Sequence, residues 1–138
     1  MRAFIDTSSL FKKYVDEKGA AEFDTLLASI TEVVVSPITV VEFHSILNRR
    51  LREKTLLAVD AHLIEKEFLK DYSFFGIVQW NDDLVKETLR VSQKYPLRTL
   101  DAIQLSSAVV AGGELFVTSD KRLFEVAEKE FDDVRLVG

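Results

Sequence analysis

Four carboxylates are the residues of this chain whose types and placement could do chemistry: Asp6, Glu42, Asp101 and Asp120. Asp6 ends the apolar run that starts at Arg2, and Asp120 comes two residues after Thr118, at the end of the run Leu115-Phe116-Val117-Thr118. Asp101 lies in the first turn of a helix whose body, Leu100 to Ala111, is apolar on nearly every side, as befits a helix inside a fold or against a sheet. Glu42 follows the run Val33-Val34-Val35 by about two helical turns. Four acids brought to one place would repel by roughly a few kcal/mol per close pair at an effective dielectric of about 20. Such a cluster persists only if it is protonated or holds cations. An all-oxygen donor set without thiolate or imidazole suits Mg2+ or Mn2+. One or two such ions could lower the pKa of a bound water, aim it in line at a phosphorus and stabilise the leaving oxygen. No protein nucleophile is then required. Ser8, Thr118 and Ser119 adjoin the acids and could orient metal-bound waters.

Each residue also has an ordinary explanation. Thr99 is a good N-cap, and the helix dipole favours an acid such as Asp101 in the first turn. Asp6 and Asp120 could be plain N-caps, as could Ser8, Thr118 and Ser119. Glu42 could be a solvated helix residue, although it sits between Val41 and Phe43. The coincidence of all four acids is what points to a shared site.

The elements that must position them follow from apolar patterning. Arg2 to Asp6 reads as a strand, Thr7-Ser8-Ser9 as a polar helix start, and Leu10 to Val15 as a short helix broken at Gly19. Phe23, Leu26, Leu27 and Ile30 share one face of a second helix. After the strand Val33–Val35, Ser36-Pro37 opens a third helix running to about Glu53, with Ile38, Val41, Ile46 and Leu47 inward. Thr55 is expected to cap a fourth helix with the stripe Leu57, Ala61, Ile64, Phe68 and Tyr72. Gly76 to Gln79 is a weaker strand. Asn81 or Asp82 caps a fifth helix carrying Leu84, Val85, Leu89 and Ser92, stopped by Tyr95-Pro96. The Asp101 helix ends at Gly112-Gly113. Leu115–Thr118 is a fourth strand, Ser119-Asp120 cap a helix from Lys121 to Lys129, and Val134–Val137 makes a last strand. Strands alternate with helices throughout and are continuous apolar runs. That predicts an α/β fold with a parallel sheet covered on both faces and right-handed crossovers. In such a sheet the strand C-termini share one edge, and sites form there. The C-terminus of the Asp101 helix feeds a parallel strand, so its N-terminus must reach that edge.

Bulk composition bounds the alternatives. At 138 residues the chain is expected to form a single domain, 1–138, with one sizeable core. Its 47% apolar and 30% charged content are those of a soluble globular protein. No apolar run approaches a membrane span, no basic and apolar leader precedes Asp6, and cysteine is absent. A cytoplasmic protein is expected. With no cysteine and only two histidines, thiol catalysis and thiolate or histidine-rich metal sites fall away. A net charge of −5 argues against a broad basic surface for nucleic acid. Any such partner must use a local basic patch or bridging metal ions.

Four segments carry a family resemblance: Phe4-Ile5-Asp6-Thr7-Ser8, Val41-Glu42-Phe43, Leu100-Asp101-Ala102-Ile103-Gln104-Leu105 and Val117-Thr118-Ser119-Asp120. They resemble the four acidic motifs of PIN-domain nucleases, and most closely the VapC-type toxins of prokaryotic toxin–antitoxin pairs. The resemblance covers the whole chain in order and length. It implies a three-layer α/β/α fold around a central, mostly parallel sheet of four to five strands. It implies a catalytic and metal-binding set of Asp6, Glu42 and Asp101, with Asp120 as the more variable fourth acid, binding Mg2+ or Mn2+ for endonucleolytic cleavage of RNA. It further implies a homodimer held by a cognate antitoxin, whose C-terminal segment lies in an apolar groove and often reaches the acidic site with a basic side chain.

Among the remaining residues, Arg49, Arg50, Arg52 and Lys54 form the one dense basic run, and Lys12, Lys13, Arg98, Lys121 and Arg122 lie near the acidic motifs in sequence. Cations at a helix C-terminus explain the run. The functional reading is a phosphate-contacting rim drawn from Arg98, Lys121, Arg122 and Arg49, with Arg98 foremost. His44 and His62 read as surface or half-buried helix residues. Trp80 and the ten phenylalanines are mostly core, although Phe23, Leu27, Phe68 and Tyr72 could line a partner groove. An aspartyl phosphatase would want a second acid where Ser8 stands. A receiver domain would want an acid pair after the first strand, and a dinucleotide-binding domain a glycine-rich turn there. A PIN-like scaffold that only binds RNA or protein is the alternative from another class.

Overall fold

The computed structural model describes all 138 residues. Five strands form one parallel sheet: β1 (Arg2–Ile5), β2 (Glu32–Val35), β3 (Gly76–Ile77), β4 (Leu115–Thr118) and β5 (Val134–Leu136), in the order β3-β2-β1-β4-β5. Ala3 pairs with Val33 on one side and Leu115 on the other, so β1 is central. Seven helices connect and cover the strands: α1 (Thr7–Phe11), α2 (Ala20–Leu27), α3 (Thr39–Arg52), α4 (Ala58–Tyr72), α5 (Asp82–Lys94), α6 (Thr99–Ala111) and α7 (Lys121–Ala127).

Successive strand residues point to opposite faces, and both faces are covered. Ala3, Ile5, Leu115 and Val117 pack with α1 to α4 through Leu10, Phe23, Phe43 and Phe68. Phe4, Val34 and Phe116 pack with α5 to α7 through Leu84, Leu105 and Leu123. This is the three-layer α/β/α arrangement that the resemblance implies, and the reason the strands read as unbroken apolar runs. No helix is long and apolar enough to cross a membrane.

Local details depart from the sequence-based expectation. Helix α1 begins at Thr7, directly after Asp6, and α3 begins at Thr39, after a turn in which Ser36 Oγ accepts from the Ile38 N–H at 3.3 Å. Neither Thr55 nor Thr99 caps a helix. The Thr55 hydroxyl donates back to the Arg50 carbonyl, and Thr99 is the first residue of α6 after an extended Arg98. Five residues expected inside are outside: Val41 is 70% exposed, Leu57 68%, Leu89 65% and Trp80 56%, and Val85 is exposed as well. The α5 face that packs inward is Leu84, Val91 and Tyr95. Gly112 ends α6 in the left-handed region at φ 64°, where a Cβ would be strained.

Phe43, next in sequence to Glu42, is fully buried, stacks on Phe68 with ring centroids 3.8 Å apart and tilts against Phe11 at 5.0 Å. Phe43→Ala should therefore destabilise the protein by about 3–5 kcal/mol, read from the urea unfolding midpoint at unchanged slope. A loss below about 1 kcal/mol would mean that α3 is not held by this stack.

Candidate active site

The chain leaves β1 for β2 and β3 on one side and returns to β4 on the other. The C-terminal ends of β1 and β4 therefore flank the point where strand order reverses, which is where open parallel sheets form their crevice. Asp6 is the residue immediately past the end of β1, and Asp120 lies two residues past the end of β4.

Asp6 is 4% exposed. Its backbone N–H continues the ladder to Val117 O at 3.0 Å. Its side chain caps α1: Oδ1 accepts from the Ser9 N–H at 3.0 Å and from Ser8 Oγ at 2.9 Å, while Oδ2 accepts from Thr118 Oγ1 at 2.5 Å. Burial outweighs these bonds and pushes its carboxyl up from 3.8 to about 6. Thr118 Oγ1 also accepts from the Asp120 N–H at 3.0 Å, so one hydroxyl ties the two acidic corners together. Asp120 in turn caps α7 through Oδ1, which accepts from Leu123 N–H at 3.0 Å. Ser9 Oγ and Ser119 Oγ lie 2.8 Å apart and brace the same two strand ends. The capping roles of Asp6 and Asp120 are thus real, and they coexist with the clustering.

Asp101 projects from the first turn of α6 and is half-buried. Burial first, and then the charge of Asp120, raise its carboxyl above the ordinary value, while Arg98 and Arg122 oppose them. Asp101 and Asp120 therefore feel each other across the crevice, with two guanidinium groups nearby. Glu42 stands on α3, where Oε1 accepts from Thr7 Oγ1 at 2.7 Å and from Gln104 Nε2 at 2.6 Å. Thr7 follows Asp6, and Gln104 lies one helical turn after Asp101, so this network joins the neighbours of the other acids to Glu42.

Sequence reasoning missed Gln104 as a site residue, although it stands inside a quoted motif. The signal was an amide in the middle of an otherwise apolar helix, and it is 3% exposed here. Thr7, which reads as part of a polar helix start, and Thr39 are both buried as well, and their partners are distant in sequence.

The basic candidates separate. Arg98 and Arg122 act on Asp101, and Arg122 also donates to the Pro96 carbonyl. Lys121 is exposed at the start of α7. Arg49 lines a cleft of about 610 Å³ together with Thr7, Ser8, Val41, Glu42 and Leu100. Lys12 and Arg50 are committed to Glu17, and Lys13 to Asp71, away from the acids. His44 is half-buried, bonded to the Val40 carbonyl at 2.8 Å and beside Glu65 of α4 at 3.6 Å. Of the four residues considered for a partner groove, Phe23 and Phe68 are fully buried in the core, and Leu27 and Tyr72 are half-buried.

The donor chemistry fits a hard divalent cation. Asp120 bonds only through Oδ1 and Glu42 only through Oε1, so each keeps an oxygen free, and no donor holds Asp101. As placed, however, no three acidic or histidine side chains are grouped closely enough to share one ion.

The buried Asp6 makes stability depend on pH. The native state holds the Asp6 proton up to about pH 6, whereas the ordinary carboxyl releases it at 3.8, so the native state binds protons more strongly in that window. Stability therefore falls as pH rises from about 4 to about 6, by an amount on the order of 3 kcal/mol, and stays lower above. Asp6→Asn keeps the Ser9 cap without the charge. In the absence of divalent metal it should melt above wild type at about pH 7.5 and lose that advantage at about pH 4, by scanning calorimetry. A variant that melts lower at both pH values would refute the burial cost.

Comparison with known proteins places this geometry in a family. The family model "PIN domain" matches residues 3–129. No curated protein matches the chain. Several solved structures share its fold. The toxin VapC20 of Mycobacterium tuberculosis, described as cleaving the sarcin-ricin loop, superposes with a TM-score of 0.70 at 18% identity, over 96% of this chain and 98% of that one. VapBC2 of Rickettsia felis, bound to a DNA fragment from its promoter, gives 0.68 at 13% identity with both chains covered in full. A toxin–antitoxin complex from Klebsiella pneumoniae gives 0.65 at 22% identity, over 88% of this chain and 89% of that one. With a family model that covers nearly its whole length, this chain belongs to the PIN domain family.

Proposed function

We propose that this protein is a metal-dependent endoribonuclease and the toxin of a VapBC-type toxin–antitoxin pair. The observation that carries the reading is a buried, charge-penalised Asp6 tied through the Thr118 hydroxyl to Asp120, whose charge acts in turn on Asp101, at the strand-order switch. A capping residue alone has no need of that penalty, because asparagine or serine would cap as well.

In this reading Asp6, Glu42, Asp101 and Asp120 hold Mg2+ or Mn2+, which would activate water and stabilise the leaving oxygen of an RNA phosphodiester. The protein's own contribution is positioning. Ser8, Ser9 and Thr118 fix Asp6, and Thr7 and Gln104 fix Glu42. Ser8 and Ser119 stand where they can orient water. Arg98, Arg122, Lys121 and Arg49 rim the crevice and its cleft, and would contact phosphates of the RNA. The same Arg98 and Arg122 temper the repulsion between Asp101 and Asp120. The similar folds in Mycobacterium tuberculosis, Rickettsia felis and Klebsiella pneumoniae support the toxin assignment and a cognate antitoxin as partner; a homodimer is part of the same proposal.

One observation favours a second reading, a PIN scaffold that binds without cutting: no three acids are yet grouped around one point. Manganese calorimetry on the purified, antitoxin-free protein separates the two without a guess at the RNA. We expect uptake of one or two ions per chain in wild type, with affinity cut more than about 100-fold in Asp101→Asn. Expression of wild type without a partner should slow growth of the host, and Glu42→Gln should relieve it. A folded wild type that takes up no manganese at millimolar concentration, together with equal toxicity of both proteins, would leave the scaffold.

A further inference from the structure

Gln104 carries a burden that packing alone does not explain. It is 3% exposed in the middle of α6, surrounded by residues such as Ile103 and Leu105. Its Oε1 is buried with no partner at all. An orphaned buried acceptor is costly, and an apolar residue of the same shape would avoid the cost. The return is on the other side of the amide. Nε2 reaches Glu42 Oε1 at 2.6 Å and Thr7 Oγ1 at 3.0 Å, with Thr39 Oγ1 further off at 3.4 Å.

The direction of these bonds is determined by chemistry. An ionised carboxylate can only accept, so the amino end of the amide must face Glu42. Thr7 spends its one hydroxyl proton on the same Oε1, at 2.7 Å, and therefore accepts from Gln104. Two donors, one of them on the helix that carries Asp101, thus converge on a single oxygen of Glu42. The other oxygen, Oε2, has no protein partner. Glu42 itself is a half-buried side chain on α3 with Phe43 as its packed neighbour, and nothing else bonds its carboxylate.

We propose that Gln104 is a positioning residue: it pins Glu42 by Oε1 so that Oε2 is presented to the metal-bearing crevice in one orientation, and its unpaired Oε1 is the cost of that arrangement. This deepens the nuclease reading and rests on it. Gln104 touches neither metal nor substrate in this account and acts only through Glu42. It couples α6, which presents Asp101, to α3, which presents Glu42, so that the two acids move as a unit.

Four proteins test it: wild type, Gln104→Met, Glu42→Gln and the double variant. Each is titrated with manganese alone and melted without metal. Methionine matches glutamine in shape and has no orphaned amide oxygen. Gln104→Met is therefore expected to melt no lower than wild type and yet to bind manganese about 10–100-fold more weakly, the loss typical when a residue that orients a metal ligand is removed. In the Glu42→Gln background the same change should cost no further affinity, because its only target has already lost its charge. If Gln104→Met does not fold, Gln104→Asn keeps the amide but withdraws it from Glu42 by one carbon–carbon bond, and the same losses are expected. Unchanged manganese affinity in a folded Gln104 variant would overturn the inference, as would an equal loss in both backgrounds or a fall in affinity that only tracks a fall in melting temperature. Wild type that takes up no manganese would overturn the site reading itself, and the role of Gln104 with it.

Discussion

The burial of one carboxylate at the end of the central strand is the constraint on which the rest of the structure turns. Asp6 is removed from water by the sheet beneath it and the helices on either side, and every donor around it is a response to that. The Ser9 N–H belongs to the helix that Asp6 starts. The Thr118 hydroxyl comes from the neighbouring strand, and it aligns Asp120 by accepting from its N–H. These bonds lower the cost of the charge without cancelling it, so the carboxyl still titrates near 6. A protein that stores such a penalty at a sheet edge trades stability for a negative charge in a fixed place. Divalent metal would recover part of it.

The two apolar cores hold the edge open for this use. They lie on opposite faces of a sheet whose strands are only two to four residues long, and they meet at the C-terminal edge through polar contacts. There Gln104 reaches Thr7 and Glu42, the Ser107 and Ser36 hydroxyls meet at 2.9 Å, and Ser9 meets Ser119. These hydroxyls and the amide form a seam over the strand ends. Helix α6 makes this possible because it is apolar where it packs, through Ala102, Leu105 and Ala108, and polar at Gln104 and Ser107, which look toward the seam.

The parts of this arrangement that were legible in the sequence are those set by neighbours in the chain. Strand ends at Asp6 and Thr118, the Asn81 and Asp120 caps and the Gly112 stop are local events, and the parallel, twice-covered sheet follows from strands without alternation. Helix phase was less legible. Val41 and Leu57 have apolar neighbours at helical spacing and still face solvent, because which stripe turns inward is decided by the partner surface. Thr55 and Thr99 have the chemistry of caps, but their helices begin one or more residues away from the geometry a cap needs. Gln104 was readable as an anomaly only. Its meaning depends on Thr7 and Glu42, 97 and 62 residues earlier in the chain.

Charge shows the same division between what a total and a place can tell. At −5 the chain as a whole should repel a polyanion. Yet the basic residues of the long run at the end of α3 are not equivalent: Arg50 is held by Glu17 and lies over the Phe11 ring at 4.8 Å, while Arg49 opens onto the cleft beside Glu42. Lys12 and Lys13, next to the first acidic motif in sequence, are spent on ion pairs elsewhere, whereas Arg98 and Arg122 converge on Asp101 from either side of the crevice. The field a ligand meets at the sheet edge is therefore built from four acids and a few arginines at short range, where screening is least effective. An anionic backbone can approach such a place only where cations, from the arginines or from bound metal, come between it and the acids. On the nuclease reading proposed above, the sheet edge is where that condition would be met.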